Sequence, residues 1–143
     1  MDTNLKSIKI DIPVIDHQHE ALVELVHRVT ALTQIGDVEL NTLKKELNNV
    51  LNYAIDHFDS EEYFMRSINY PYYEEHVLKH DGFRTRMDDF FSRLNKKDTT
   101  VDALITRLST WLEDWLDNHL QTEDKKLADF IKETSALSTH PKT

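Results

Sequence analysis

The chain contains no cysteine. That absence excludes disulfide scaffolds, thiolate nucleophiles, zinc–thiolate sites and iron–sulfur clusters together. Glycine occurs only 2 times and proline 3 times, too few to punctuate a many-stranded sheet or to build a glycine-rich phosphate loop. No apolar run approaches the roughly 18 residues needed to cross a bilayer. Residues Met1 to Ile12 alternate apolar and polar side chains and lack the apolar block of a signal peptide. A cytoplasmic protein with no membrane contact is therefore expected. The 17 basic side chains are outnumbered by 26 acidic ones, and the net charge of −9 repels phosphate backbones and argues against a nucleic-acid partner. The length of 143 residues suits one domain. What the chain does have is histidine, 8 in all. Without sulfur, any metal they bind is held by nitrogen and oxygen alone.

Four segments carry apolar residues at helical spacing. The first runs from about Asp16 to Gln34 through Leu22, Leu25, Val26, Val29 and Leu32, after Pro13 and before the stop at Gly36. The second runs from about Leu40 to Met65 through Leu43, Leu47, Val50, Leu51, Ala54 and Phe58. Asn69-Tyr70-Pro71 breaks the pattern, with Asn69 suited to an N-cap and Pro71 to a first helical turn. The third runs from about Tyr72 to Leu94 through Phe83, Met87 and Phe90. A polar connection, Asn95 to Asp98, leads to Thr99 or Thr100 as a cap. The fourth runs from about Val101 to Leu120 through Leu104, Leu108, Trp111, Leu112 and Trp115, with a short helical extension over Lys125 to Thr134 and a frayed tail from Ser135. Amphipathic helices of similar length joined by short loops predict an all-α, up-down-up-down antiparallel four-helix bundle with an N-terminal loop arm. The breaks at Gly36, Pro71 and Asn95 to Asp98 argue against the alternative, a long dimeric coiled coil.

Continuing each apolar stripe by threes and fours leads to polar residues where core is expected. Leu47, Val50 and Ala54 lead to His57 and Glu61; Tyr73 leads to His76 and His80; Leu108, Trp111 and Trp115 lead to His119; Leu22 steps back to His19. Burying one such group without a partner costs roughly 1–3 kcal/mol. A bundle stable by about 5–15 kcal/mol cannot carry five or six of them unsatisfied. All of these residues fall at the end of the bundle where the first and third helices begin and the second and fourth close. The i, i+4 pairs His57/Glu61 and His76/His80 can each face one point. Five imidazoles exceed what one zinc ion uses, so two metals sharing carboxylates fit the set better; iron, copper, zinc and manganese all suit such donors.

From about Ile12 to Leu127 the chain resembles the hemerythrin family, specifically its single-domain bacterial members. The resemblance rests on Ile15-Asp16-His17-Gln18-His19, on His57-Phe58-Asp59-Ser60-Glu61-Glu62, and on Tyr70-Pro71 followed by His76 and His80. Trp111-Leu112, Trp115-Leu116, His119 and Asp124 complete it. It implies one domain over residues 1–143 and a non-haem centre of two irons joined by an oxo or hydroxo bridge. By that implication His76, His80 and His119 hold one iron, His19 and His57 the other, and Glu61 and Asp124 bridge them. Dioxygen would bind at the iron of His19 and His57, in a pocket lined by Trp115, Leu116 and Leu120. Spacing alone would choose Glu123, four residues after His119, since Asp124 stands roughly 140° round an ideal helix. The family motif chooses Asp124, which requires the helix to end or distort there.

His17 reads as a surface residue, His27 as exposed or supporting, and His140 as part of the tail, none of them a ligand. The acidic Glu20, Glu24, Glu46, Asp88, Asp89 and Asp102 read as solvated helix faces. The resemblance implies reversible dioxygen binding. A monomer is expected, with azide and similar small anions as analogues of dioxygen and an oxygen-consuming protein as a partner. Five neutral imidazoles with only two carboxylates disfavour high-valent iron, and the paired Glu-x-x-His signature of ferritin-like oxidases is missing, so a carrier is expected rather than an enzyme. The alternatives are oxygen or redox sensing through a separate partner, or turnover of peroxide or nitric oxide or iron handling at the same centre.

Overall fold

Pro13 opens the first helix, where a missing N–H costs nothing and a fixed φ is already helical. In the computed structural model, which describes residues 5–96 and 98–139, helix α1 spans Pro13–Ala31 and tightens into one 3₁₀ turn over Leu32–Gln34. Gly36 then takes the left-handed conformation, φ +73°, that glycine adopts most readily. Helix α2 spans Leu40–Ser67. It ends on Asn69 in the left-handed region, φ +54°, with the Tyr70 N–H bonded to the Met65 carbonyl at 3.0 Å and the Asn69 N–H to the Arg66 carbonyl at 3.1 Å. This is a Schellman ending. Asn69 therefore closes α2 rather than capping the next helix as its residue type suggested. Helix α3, Tyr73–Leu94, begins at Tyr72 with no side-chain cap.

Thr100 caps helix α4, Val101–His119, by accepting the Ala103 N–H at 3.1 Å. A single π-helical turn, Leu120–Asp124, follows and leads into helix α5, Lys125–Thr139. The helical backbone thus runs past Ser135 to Thr139, where fraying was expected; His140, Met1–Asn4 and Lys97 lie outside the described residues.

Helix α1 packs on α2 and α4, and α3 packs on the same two helices, which is the up-down-up-down bundle that the apolar periodicity predicts. The main core threads Leu22, Val26, Val29, Leu43, Leu47, Val50, Met87, Leu108 and Leu112 through its length. Burying each such side chain contributes about 1.5–3 kcal/mol. A second apolar cluster, Ile10, Ile15, Met65, Tyr70, Leu127 and Ala128, closes one end. It recruits the N-terminal arm, whose Ile10 is 1% exposed and gives its N–H to Asp16 Oδ1 at 2.7 Å. Along α1 and α2 the polar residues of the inward stripes lie between the two clusters, one turn from Ile15 and one turn from Met65. No described helix is long and apolar enough to cross a membrane.

Candidate metal centre

Seven side chains from all four bundle helices and the π turn meet in that layer. His19 comes from α1, His57 and Glu61 from α2, His76 and His80 from α3, His119 from α4 and Asp124 from the π turn; each is at most 3% exposed. Every one of the metal-ligand candidates read from the sequence is brought here. His17 is exposed and His27 half-buried on α1, and neither joins the group. Of the acidic residues read as solvated, Glu20, Glu24, Asp88 and Asp102 are exposed, and Glu46 and Asp89 are half-buried, paired with Arg28 and with Arg93.

The two carboxylates divide their oxygens between two sets of imidazoles. Glu61 Oε1 lies 2.8 Å from His76 Nε2 and 3.1 Å from His80 Nε2, while its Oε2 lies 3.4 Å from His19 Nε2 and 3.5 Å from His57 Nε2. Asp124 repeats the division: Oδ1 faces His76 at 3.1 Å and His119 at 3.6 Å, and Oδ2 faces His19 at 3.3 Å. Donor atoms fall within 4.8 Å of one another in two overlapping groups, Glu61/His76/His80/His119 and His19/His57/Glu61/Asp124. His19 Nε2, Glu61 Oε2 and both Asp124 oxygens are buried without a well-formed hydrogen bond. Such orphaned acceptors are costly unless something coordinates them. All five imidazoles present Nε2 inward, so the donor set of nitrogen and oxygen fits one or two first-row metal ions.

The π turn explains how Asp124 enters the site. In a regular continuation of α4, Glu123 would share the face of His119. Hydrogen bonds closing five residues apart move that position on by one, and such turns recur at functional sites. Asp124 is fully buried in the cluster, whereas Glu123, 8% exposed, has no part in either donor group. Periodicity alone points to Glu123; the family motif points to Asp124, which is the one of the two that joins the cluster.

Protonation follows the same division. Burial pushes every imidazole down, but hydrogen bonds to Asp124 and Glu61 overcome it for His19 and His76 and raise both to about 10. His80 is raised by its bonds to Glu61 and Glu62. For His57 and His119 burial prevails, leaving them at about 4 and about 3. Against burial, the facing histidines hold Glu61 well below the carboxylate range and Asp124 at about 2. At neutral pH without metal the site thus holds two carboxylates, two imidazolium rings, His19 and His76, and two neutral rings, His57 and His119, with His80 shifted toward the protonated form. The 3.2 Å contact between His76 and His119 fits this state, His76 Nε2 donating and His119 Nε2 accepting. The protons on His19 and His76 sit on atoms that a metal would need. Metal loading at pH 7 is expected to release at least two protons per chain, so affinity falls as pH drops below about 10. Calorimetric titration in two buffers of different ionisation enthalpy measures that number, and no release would show the rings to be neutral beforehand.

An outer layer orients the imidazoles, and sequence reading missed it. His19 Nδ1 bonds to the Ile8 carbonyl of the N-terminal arm at 3.1 Å, and His57 Nδ1 to Gln18 Oε1 at 3.0 Å, with Gln18 tied to Ser60 at 3.1 Å. His80 Nδ1 bonds to Glu62 Oε2 at 2.8 Å, and Arg84 reaches the same oxygen at 3.3 Å. Gln18 and Glu62 lie beside ligands in the quoted motifs, which was the available signal.

An apolar cavity of about 10 Å³, the room of about one water-sized molecule, adjoins the cluster. Leu22, Val26, Val50, Ala54, Phe58, Phe83, Leu112, Trp115 and Leu116 line it together with His57, His119 and Asp124. The Trp115 ring stacks on His119, centroids 4.5 Å apart. Of the three pocket residues expected, Trp115 and Leu116 form its walls, while Leu120 is fully buried in the main core and is not among them.

Residues 11–131 match the model of the hemerythrin HHE cation-binding domain. The chain is 29% identical over 135 residues to a bacteriohemerythrin of Campylobacter jejuni subsp. jejuni, an alignment covering 93% of this chain and 97% of that protein. It is 30% identical over 126 residues to the bacteriohemerythrin of Stenotrophomonas maltophilia, covering 87% and 78%. Against the bacteriohemerythrin of Pseudomonas aeruginosa it is 26% identical over 121 residues, covering 85% and 75%.

Proposed function

Since the chain belongs to the hemerythrin family, we propose that it binds dioxygen reversibly at a pair of non-haem irons. His76, His80 and His119 would hold one iron and His19 and His57 the other, with Glu61 and Asp124 bridging. The observation that carries this reading is the division of both carboxylates' oxygens between the two imidazole sets, which one ion would not require. When bound, the iron pair supplies the electrons and the open coordination position that reversible oxygen binding needs.

The chain's own residues do the rest. Three histidines against two leave the His19/His57 position the less fully coordinated. Leu116, Phe58 and Trp115 give the adjoining cavity apolar walls, which disfavour water and protons there. The titratable residues among the cavity walls are His57, His119 and Asp124, all of them candidate ligands. With no separate acid in place to protonate and cleave bound oxygen, binding is favoured over turnover.

The test is direct. Protein loaded anaerobically with iron(II) should take up two irons per chain, form a stable coloured adduct in oxygen, and lose the colour under argon. Azide added to the oxidised protein should give intense charge-transfer bands. Conversion to the diferric form with no reversible adduct would overturn the reading, and steady consumption of peroxide or nitric oxide would replace it with an enzyme.

A further inference from the structure

The imidazoles of the two sets are not supported alike. His19 and His57 give their Nδ1 protons to neutral acceptors, the Ile8 carbonyl and the Gln18 amide oxygen. His80 gives its proton to the carboxylate of Glu62. His76 Nδ1, of the same set, is buried with no hydrogen-bond partner among the described residues. Glu62 is in turn held by Arg84, whose guanidinium bonds to the same Oε2, pairs with Asp81 at 2.7 Å and lies 5.2 Å over the Phe58 ring. Phe58 stacks on His80 with centroids 4.0 Å apart and an interplanar angle of 14°. His80 is therefore fixed at its edge by an anion and at its face by a ring, and one arginine touches both supports.

We infer that Glu62 is a positioning residue that makes the His76/His80/His119 position the more electron-rich of the two, and that Arg84 limits the effect. A metal bound at Nε2 obliges Nδ1 to keep its proton and donate it. A carboxylate acceptor draws that proton toward itself, and the ring gains part of the character of an imidazolate. The ring becomes a stronger donor and stabilises the higher oxidation state of the metal it binds. An amide or carbonyl acceptor does this far less. Arg84 competes for the same oxygen of Glu62 and weakens its pull. This inference rests on the paired-iron reading above and adds an unequal division of electron density between the two positions.

Glu62→Gln keeps an acceptor of the kind that serves His57 while removing the charge. Changes in such outer partners alter metal-site properties by roughly 10–100-fold. In the iron-loaded protein, held anaerobic throughout, the first one-electron oxidation should shift about tenfold toward the reduced form in Glu62→Gln, about 59 mV upward. Glu62→Asp, which keeps the charge, should restore part of the shift. Arg84→Met, which removes the guanidinium from Glu62 while keeping a long unbranched side chain, should move it in the opposite direction. A merely structural role would move Glu62→Gln and Arg84→Met the same way, and either that result or an unchanged potential overturns the inference.

A second measurement is independent of iron and oxygen. In zinc-loaded protein the His80 Nδ1 proton should resonate far downfield and move upfield in Glu62→Gln; an unmoved resonance also overturns it. Reversible oxygen uptake with an unchanged potential would remove this inference and keep the proposed function. A shifted potential in a protein that forms no oxygen adduct would do the reverse.

Discussion

Glu61→Ala should abolish paired metal binding and lower the stability of the metal-free chain by about 3 kcal/mol, the lower end of the cost of breaking a buried ion pair. No other side chain faces as many partners in the site: its two oxygens lie within 3.5 Å of the Nε2 atoms of His19, His57, His76 and His80. Without metal, Glu61 and Asp124 balance the charges on His19 and His76. Removing Glu61 leaves one carboxylate against two imidazolium rings in a layer closed to water. The rings relieve part of that cost by losing protons, which is why the lower end applies. Even so, 3 kcal/mol is a large fraction of the roughly 5–15 kcal/mol that holds a domain together. Glu61→Gln separates charge from shape. It preserves the volume, cannot serve as an anionic bridge, and should match Glu61→Ala in metal count while leaving a smaller packing defect. Metal analysis after iron loading and urea unfolding of the metal-free variants measure both effects. Two metals retained in Glu61→Ala would remove Glu61 from the centre altogether.

The residues of that layer were legible because helical periodicity is strict. A stripe that runs Leu43, Leu47, Val50, Ala54 does not change face at His57 and Glu61, and the buried state of both follows from the pattern. The same holds for His76 and His80 before Phe83, and for His119 after Trp115. What periodicity did not carry was anything that depends on how neighbouring helices are rotated against one another. Gln18 meets His57 across the α1–α2 contact, and Glu62 meets His80 across the α2–α3 contact. Both lie off the apolar stripes, where a polar residue is ordinarily solvated. The Ile8 carbonyl that holds His19 belongs to an arm without regular secondary structure, and a backbone acceptor has no signature in residue type. Asn69 was ambiguous for a different reason. Asparagine suits both an N-cap and a left-handed helix ending, and the choice depends on whether the chain reverses before or after it. Here Tyr70 turns inward, 4% exposed, and the reversal comes first.

Asp124 is the sharpest case, and it yields the second large effect. Residue type gives no warning of a π turn: Leu120-Gln121-Thr122-Glu123-Asp124 contains neither proline nor glycine and would read as continuous α-helix. On that reading Glu123 faces the cluster; with the π turn Asp124 does. The two substitutions discriminate between these geometries. Asp124→Ala removes the oxygen facing His19 and the oxygen facing His76, leaving His19 and His57 with only Glu61 Oε2. Affinity for the second metal should fall at least a hundredfold, about 3 kcal/mol, while the set of His76, His80, His119 and Glu61 still holds one ion. The bound metal should drop from two per chain toward one. Glu123→Gln should leave two, because its carboxylate belongs to neither donor group. If Glu123→Gln lost the second metal and Asp124→Ala kept it, the last helix would have to run on as a regular α-helix in the metal-bound protein. The π turn would then be a feature that metal binding removes, and the distance from His119 to its partner carboxylate would be set by four residues rather than five.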